Sequence, residues 1–404
     1  MKFRTEKFVS SILLVFCAVF LLTAFNPKDI RQDACLFQQY EKADCSQFMG
    51  EGAGTAKNVV LLIGDGMGIG QVYAGRVNLQ GPESPLRWEK LKNQGQVTTC
   101  AMYGVTDSAA SGTAIATGHK TMTTVISMDP KREKNLETIL EMVQDYKATG
   151  LVTNTNLWDA TPAVFASHAS LRSKDFDIAR QMINHEVDVM LGGGADEFGG
   201  NDKHDNQMER AAKMGYKVVR TRDELKAVDP SETEKLLGIF RGGSLHFEVD
   251  WKEKFNEPHL SEMAEKALQI LERDDRGFFL MIEGAHIDHA GHKTSMKKLV
   301  GQMKEFDKIV NMVLDWQESH PDTLVIITAD HETGGIRVWP DDYKKGDKIK
   351  VWWTTSFVPG YAGHSAQRVP IYAIGPNADA VKKHMDNTEV FCLMKNAFEK
   401  PEAR

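Results

Sequence analysis

The sequence predicts an α/β fold: a three-layer arrangement with a mostly parallel central sheet and helices on both faces. Three observations predict it. Short apolar runs without polar alternation recur along the chain, as in strands buried on both faces. Stretches with apolar residues at helical spacing lie between them. Strand and helix alternate, which favours a parallel sheet covered by helices.

The first strand run is Asn58–Gly66 (NVVLLIGDG), ending in glycine and aspartate. In YGVTDSAASGTAIATGHKT, Tyr103–Thr121, tiny residues follow Ser108, which suits a helix start with Asp107 or Ser108 as cap. Asn135–Tyr146 has helical spacing and Gly150–Thr155 is a second strand run. Val187–Gly194 is a third, before a polar, irregular region near 201–258 that reads as an insertion. Leu260–Arg273 and Met296–Trp316 are helical, and Phe278–Ala285 and Thr323–Asp330 are strands. A second peripheral segment, 337–360, precedes the last strand run, Val369–Pro376.

The 404 residues are 42% hydrophobic and 26% charged, an ordinary globular balance. A net charge of -7 gives no basic footprint for nucleic acid. Lys2, Arg4 and Lys7 precede the apolar run Ile12–Leu22, the shape of a secretory signal. Export to a periplasmic or extracellular space is expected, with an uncleaved membrane anchor left open. The expected organisation is a leader at 1–25, a loose segment at 26–55 and one domain over 56–404 carrying the two insertions. Of five cysteines, Cys17 lies in the leader. Cys35 and Cys45 flank a short polar segment suited to a local disulfide in an oxidising compartment, and Cys100 and Cys392 read as buried thiols.

Ligands of open α/β sheets bind at the carboxyl ends of strands, so the residues after each run carry the chemistry. GDGMGIG, Gly64–Gly70, lacks the GxGxxG spacing of a dinucleotide loop, and Asp65 would repel a pyrophosphate; it suits a cation instead. EGAHIDHAGH, Glu283–His292, gathers Glu283, His286, Asp288, His289 and His292. ADHETGG adds Asp330, His331 and Glu332, and AGHSAQR adds His364. Mixed imidazole and carboxylate sets suit zinc, and oxygen-only sets suit magnesium.

The segments IGDGMG, TDSAASGTA, DATPAVFASHASLR, EGAHIDHAGH, TADHETGG and AGHSAQRVPIYAIGP, in that order, resemble the alkaline phosphatase family of metal-dependent phosphomonoesterases. The resemblance runs from Asn58 to Pro376. It implies an alkaline-phosphatase-like fold, hydrolysis of small phosphomonoesters through a phosphoserine, two zinc ions and one magnesium ion per chain, and a homodimer. Carried position by position, it makes Ser108 the nucleophile. Asp65, Asp330 and His331 would hold one zinc, and Asp288, His292 and His364 the second. Asp65 would bridge to a third ion completed by Thr161 and Glu283, with Asp159 orienting its waters. Arg172 would clamp phosphate, steadied by Asp107, with His289 near the phosphate. The rival readings are a diesterase or sulfatase of the same superfamily and a non-catalytic metal- or phosphate-binding protein. Ser108 is followed by Ala109 and Ala110, against the C/S-x-P-x-R setting of sulfatases.

Overall fold

At the centre of a ten-stranded sheet, β1 (Asn58–Ile63) lies between two parallel neighbours, with Val59 opposite both Phe279 and Leu324. The computed structural model describes residues 35, 38, 41–201, 203–339 and 342–398. The leader, with Cys17, lies outside the described residues. In chain order the strands are β1, β2 (Asn93–Thr98), β3 (Ala148–Asn156), β4 (Val189–Gly193), β5 (Lys217–Val219), β6 (Leu236–Ile239), β7 (Phe278–Glu283) and β8 (Thr323–Thr328). Then follow β9 (Glu332–Thr333), β10 (Ile336–Val338), β11 (Val351–Trp353), β12 (His364–Ser365), β13 (Val369–Ile374) and β14 (His384–Asp386). The large sheet has the order β14-β2-β13-β8-β1-β7-β3-β4-β6-β5. All its pairings are parallel except those of β13, which runs antiparallel to β2 and β8.

Every residue of β1, β7 and β8 is buried. Their runs (NVVLLI, FFLMIE, TLVIIT) carry apolar side chains on both sides because helices cover both faces. Four adjacent parallel strands, β8, β1, β7 and β3, bring their carboxyl ends to one place, and the site forms there.

The helix Ser108–Thr117 explains the run of tiny residues. Asp107 caps it, accepting Ala110 N at 3.0 Å, and all ten of its residues are buried. It packs on the helix Ala160–Ala166 so closely that a Cβ at Gly112 would stand 2.9 Å from Val164 Cγ2. Ser111 Oγ donates to Asp330 O at 2.5 Å, tying this helix to the end of β8.

Several expectations change. β5 and β6 extend the sheet edge from within 201–258, a region whose polar composition signals no strand. β2 (NQGQVT) is polar and only partly buried, so it too lacks an apolar run. The helical stretch expected over Asn135–Tyr146 narrows to Ile139–Val143, because a capping box between Thr138 and Glu141 fixes its start. The cysteine reading is overturned. Cys35 is bonded to Cys100 and Cys45 to Cys392, so the segment before β1 is stapled across the fold rather than onto itself. No helix among the described residues is long and apolar enough to cross a membrane.

Candidate active site

Each chemical group enters the site on a defined element. Asp65 follows β1 through Gly64, and Gly66 after it has a φ of +70°, where L side chains are strained. A Cβ on Gly66 would lie 2.8 Å from Asp288 Cα, so glycine also allows the two aspartate-bearing segments to meet. Glu283 ends β7. The short helix His286–His292 then places Asp288 and His292 on one face by their i,i+4 spacing. Asp330 and His331 follow β8, and His364 on β12 pairs with Thr333 on β9, which closes the ring.

Two triads result. The donor atoms of Asp65, Asp330 and His331 lie within 4.8 Å of one another, as do those of Asp288, His292 and His364. His331 Nε2 is 3.4 Å from Asp65 Oδ1 and 3.2 Å from Asp330 Oδ2. His292 Nε2 is 3.2 Å from Asp288 Oδ2, and His364 Nε2 is 3.5 Å from Asp288 Oδ1.

The imidazole geometry tests whether these sets fit cations. His292 Nδ1 donates to Ala362 O at 2.6 Å, and His364 Nδ1 donates to Thr106 O at 2.9 Å. A carbonyl oxygen only accepts, so both Nδ1 atoms carry their protons, and each Nε2 presents a lone pair whenever its ring is neutral. Those two Nε2 atoms face each other at 3.1 Å. Two lone pairs repel unless a proton or a cation stands between them. A metal ligand oriented through its other ring nitrogen is the usual pattern at such centres. The separation is close to the roughly 3.3 Å between two nitrogens of one tetrahedral zinc with Zn–N near 2.0–2.1 Å.

The carboxylates give the same answer. Burial, then the charges of Asp330, Asp288 and Glu283, push Asp65 well above the ordinary carboxylate range. Burial, then the charge of Asp288, lifts Asp330 to about 6. Glu283 rises to about 8, chiefly from burial, although it accepts Thr153 Oγ1 at 2.5 Å. Asp65 Oδ1 and Asp330 Oδ2 are buried without a well-formed hydrogen bond. Thr161, fully buried, approaches Glu283 with its hydroxyl. Such a concentration of buried carboxylates is neutralised either by protons or by a cation, and the oxygen and imidazole donors present fit a cation.

Ser108 Oγ lies 3.2 Å from His331 Nε2, at the amino end of its helix. Arg172 stands between two aspartates. Its Nη1 is 3.4 Å from Asp107 Oδ2 and its Nη2 is 2.7 Å from Asp159 Oδ1. Asp107 Oδ2 also accepts Thr124 N at 3.0 Å, and Arg172 N bonds Thr124 O at 2.7 Å. Asp159 caps the helix Ala160–Ala166 through Ala160 N at 2.7 Å and accepts Thr155 Oγ1 at 3.3 Å. Asp159 is thus engaged by the protein on both oxygens.

Four residues of the sequence clusters, Glu283, His286, His289 and Glu332, stay outside the triads. Glu332 accepts Gln71 Nε2 at 2.9 Å and the backbone N–H groups of Gly335 and Ile336, so its charge fixes the loop after β8. His286 turns away to stack on Phe247 with ring centroids 4.5 Å apart. His289 lies 5.2 Å from His286, ring to ring, on the side of Asp159. Sequence reasoning missed Thr333, whose hydroxyl donates to Asp288 Oδ1, and Thr153, which holds Glu283. Threonines in strand-rich segments carry no signal that marks such roles.

The two triads and the buried serine thus lie together at the carboxyl ends of the central strands. The family model for alkaline phosphatase matches residues 56–356. Alkaline phosphatase 4 of Bacillus subtilis is 33% identical over 343 residues, covering 82% of this chain and 71% of that protein. Alkaline phosphatase of Escherichia coli is 31% identical over 405 residues, covering 85% of this chain and 86% of that protein. Among solved structures, alkaline phosphatase from the Antarctic bacterium TAB5 matches with a TM-score of 0.74 at 28% identity, covering 85% of this chain and 98% of that one. A variant of the TAB5 enzyme has magnesium bound in its M3 site. The chain belongs to the alkaline phosphatase family, whose members hydrolyse phosphomonoesters and depend on metal ions.

Proposed function

We propose that the chain hydrolyses phosphate monoesters through a covalent intermediate on Ser108. The observation that carries the reading is the placement of one buried hydroxyl, at a helix amino terminus, beside a histidine–carboxylate triad and within reach of a forked arginine site. Arg172, charged at all relevant pH and steadied by Asp107 and Asp159, offers two N–H groups to two phosphate oxygens. Backbone N–H groups at the start of the Ser108 helix add to the anion site. Ser108 Oγ attacks phosphorus in line, the Oγ–P bond forms and the ester P–O bond breaks, and the alcohol leaves. Water then attacks the phosphoserine from the vacated side and releases phosphate.

Zinc held by Asp65, Asp330 and His331, zinc held by Asp288, His292 and His364, and magnesium held by Asp65, Thr161 and Glu283 would supply positive charge that acidifies the serine hydroxyl and braces the entering and leaving oxygens. His289 would stand on the phosphate side, and Asp159, besides its bond with Arg172, would help orient water at the site that Asp65, Thr161 and Glu283 would form. One catalytic domain over 56–404, export through the leader and a homodimer complete the reading. Support comes from the charged, apolar start of the chain and from the family resemblance. Side-by-side turnover of an aryl phosphate, a diester and an aryl sulfate, with and without chelator, tests it. Fast, chelator-sensitive monoester hydrolysis is expected; preference for the diester or sulfate refutes the assignment.

A further inference from the structure

Beside the phosphate clamp lies a second cavity, about 500 Å³ in volume, between the segment 241–250 and the turn that follows the helix His286–His292. Its wall joins the clamp directly. Ser244 Oγ is 3.0 Å from Thr155 Oγ1, which donates to Asp159, and Asp159 holds Arg172. His289, next in the chain to Asp288, also lines it.

The lining carries three cations, Arg241, Lys293 and Lys298, with His286 and His289 beside them. Two carboxylates offset part of this charge. Asp250 accepts Lys298 Nζ at 2.5 Å. Glu257 is 2.8 Å from His246 Nδ1 and 3.7 Å from Arg241 Nε. Among the described residues no carboxylate pairs with Lys293, whose ammonium lies 4.7 Å from the Phe247 ring centroid. Lys298 lies over the same ring at 4.0 Å. Phe247 thus holds two ammonium groups beside the cavity, and its ring also stacks on His286. His286 is 1% exposed, and its Nδ1 is buried with no hydrogen-bond partner. A buried ring nitrogen without a partner is costly unless a ligand or water meets it.

We infer that this cavity receives an anionic group carried on the alcohol part of the substrate, a second phosphate or a carboxylate, while Arg172 holds the phosphate to be cleaved. The inference rests on the phosphatase reading of Ser108 and Arg172. An uncharged alcohol would make no use of the Arg241 and Lys293 cations that line the cavity beside the clamp. A tethered anion would pair with them.

The test compares kcat/KM for three esters of equal chain length: butyl phosphate, phosphorylated hydroxybutyrate and butanediol bisphosphate. The expected result is an advantage of roughly tenfold or more for one or both of the latter at low salt, the scale of one charge-assisted hydrogen bond. Added salt should reduce it. Lys293→Met, alone and with Arg241→Met, should abolish the advantage and leave butyl phosphate turnover unchanged, which also shows that the variants fold. The carboxylate and bisphosphate arms tell which anion is preferred. Equal kcat/KM for all three esters, or an advantage that survives the double variant, overturns the inference and leaves the phosphatase reading standing. Failure of the wild type to hydrolyse any of them overturns that reading as well.

Discussion

Ser108 Oγ and His331 Nε2 stand 3.2 Å apart, both buried, and His331 Nε2 also faces Asp65 and Asp330. The nucleophile candidate therefore sits on the edge of the Asp65–Asp330–His331 triad. Ser108→Ala should abolish the phosphoenzyme trapped by acid quench and reduce turnover by orders of magnitude. A remnant from phosphate binding and activated water is expected, because residues acting as a unit are not additive. Unchanged turnover or a persisting phosphoenzyme would rule Ser108 out.

The face-to-face Nε2 atoms of His292 and His364 make a prediction about metal content. Purified active protein should hold about two zinc ions per chain, as a two-metal site requires. His364→Ala and His331→Ala should each lower zinc content together with rate, measured by elemental analysis and steady-state assay. A variant that loses rate but keeps its full zinc complement would reassign that histidine to proton transfer.

Arg172 is bonded on both terminal nitrogens, yet neither partner belongs to a triad. Arg172→Ala should raise the inhibition constant for inorganic phosphate by an amount corresponding to about 1.5–3 kcal/mol, while zinc content stays near wild type. An unchanged inhibition constant would show that the fork does not meet phosphate.

Asp159 shares one oxygen between Ala160 N and Arg172. Asp159→His should therefore have two effects: weaker phosphate inhibition and a reduced response of zinc-loaded protein to added magnesium. Titration of magnesium against activity in wild type and variant separates them. Equal magnesium responses would confine Asp159 to its role under Arg172.

Away from the site, His168 Nε2 is 2.8 Å from Glu141 Oε1 and His168 Nδ1 is 2.7 Å from Ser127 O. Burial disfavours both charged forms, but the mutual bond outweighs it, raising His168 and lowering Glu141. The His168 contribution is therefore full below its unfolded value of about 6.5 and fades as pH rises through the higher folded value. The Glu141 contribution fades at the acid end, as pH falls through its lowered value. His168→Gln should lower the melting temperature most near neutral and mildly acidic pH and progressively less in alkaline buffer. A melting-temperature difference that stays constant from mildly acidic to alkaline buffer would show that the pair contributes no pH-dependent stability.

The clustering of the site's carboxylates and histidines was legible in the sequence to the extent that side chains announce it. Asp65 and Asp330 each end an apolar run, and Asp288 and His292 are four apart on a short helix, so position and chemistry coincide. The groups that orient these ligands were not legible. Thr106 and Ala362 act through backbone carbonyls, which any residue supplies, and Thr333 looks like an ordinary strand residue. The edge strands β5 and β6 escaped because Lys217–Val219 is short and Leu236–Ile239 contains a glycine. Cysteine pairing is set by tertiary approach: Cys45 and Cys392 have Cα atoms 4.9 Å apart, which nothing in their local sequence reveals.

That bond has a topological result. Cys45 and Cys392 are 347 positions apart, so the polypeptide between them forms a covalent ring that contains every residue of the triads, Ser108 and Arg172. The Cys35–Cys100 bond adds a smaller ring that overlaps it. A protease that nicks any one exposed loop between 45 and 392 opens the ring but separates nothing. The fragments would part on a reducing gel and migrate as one species without reductant.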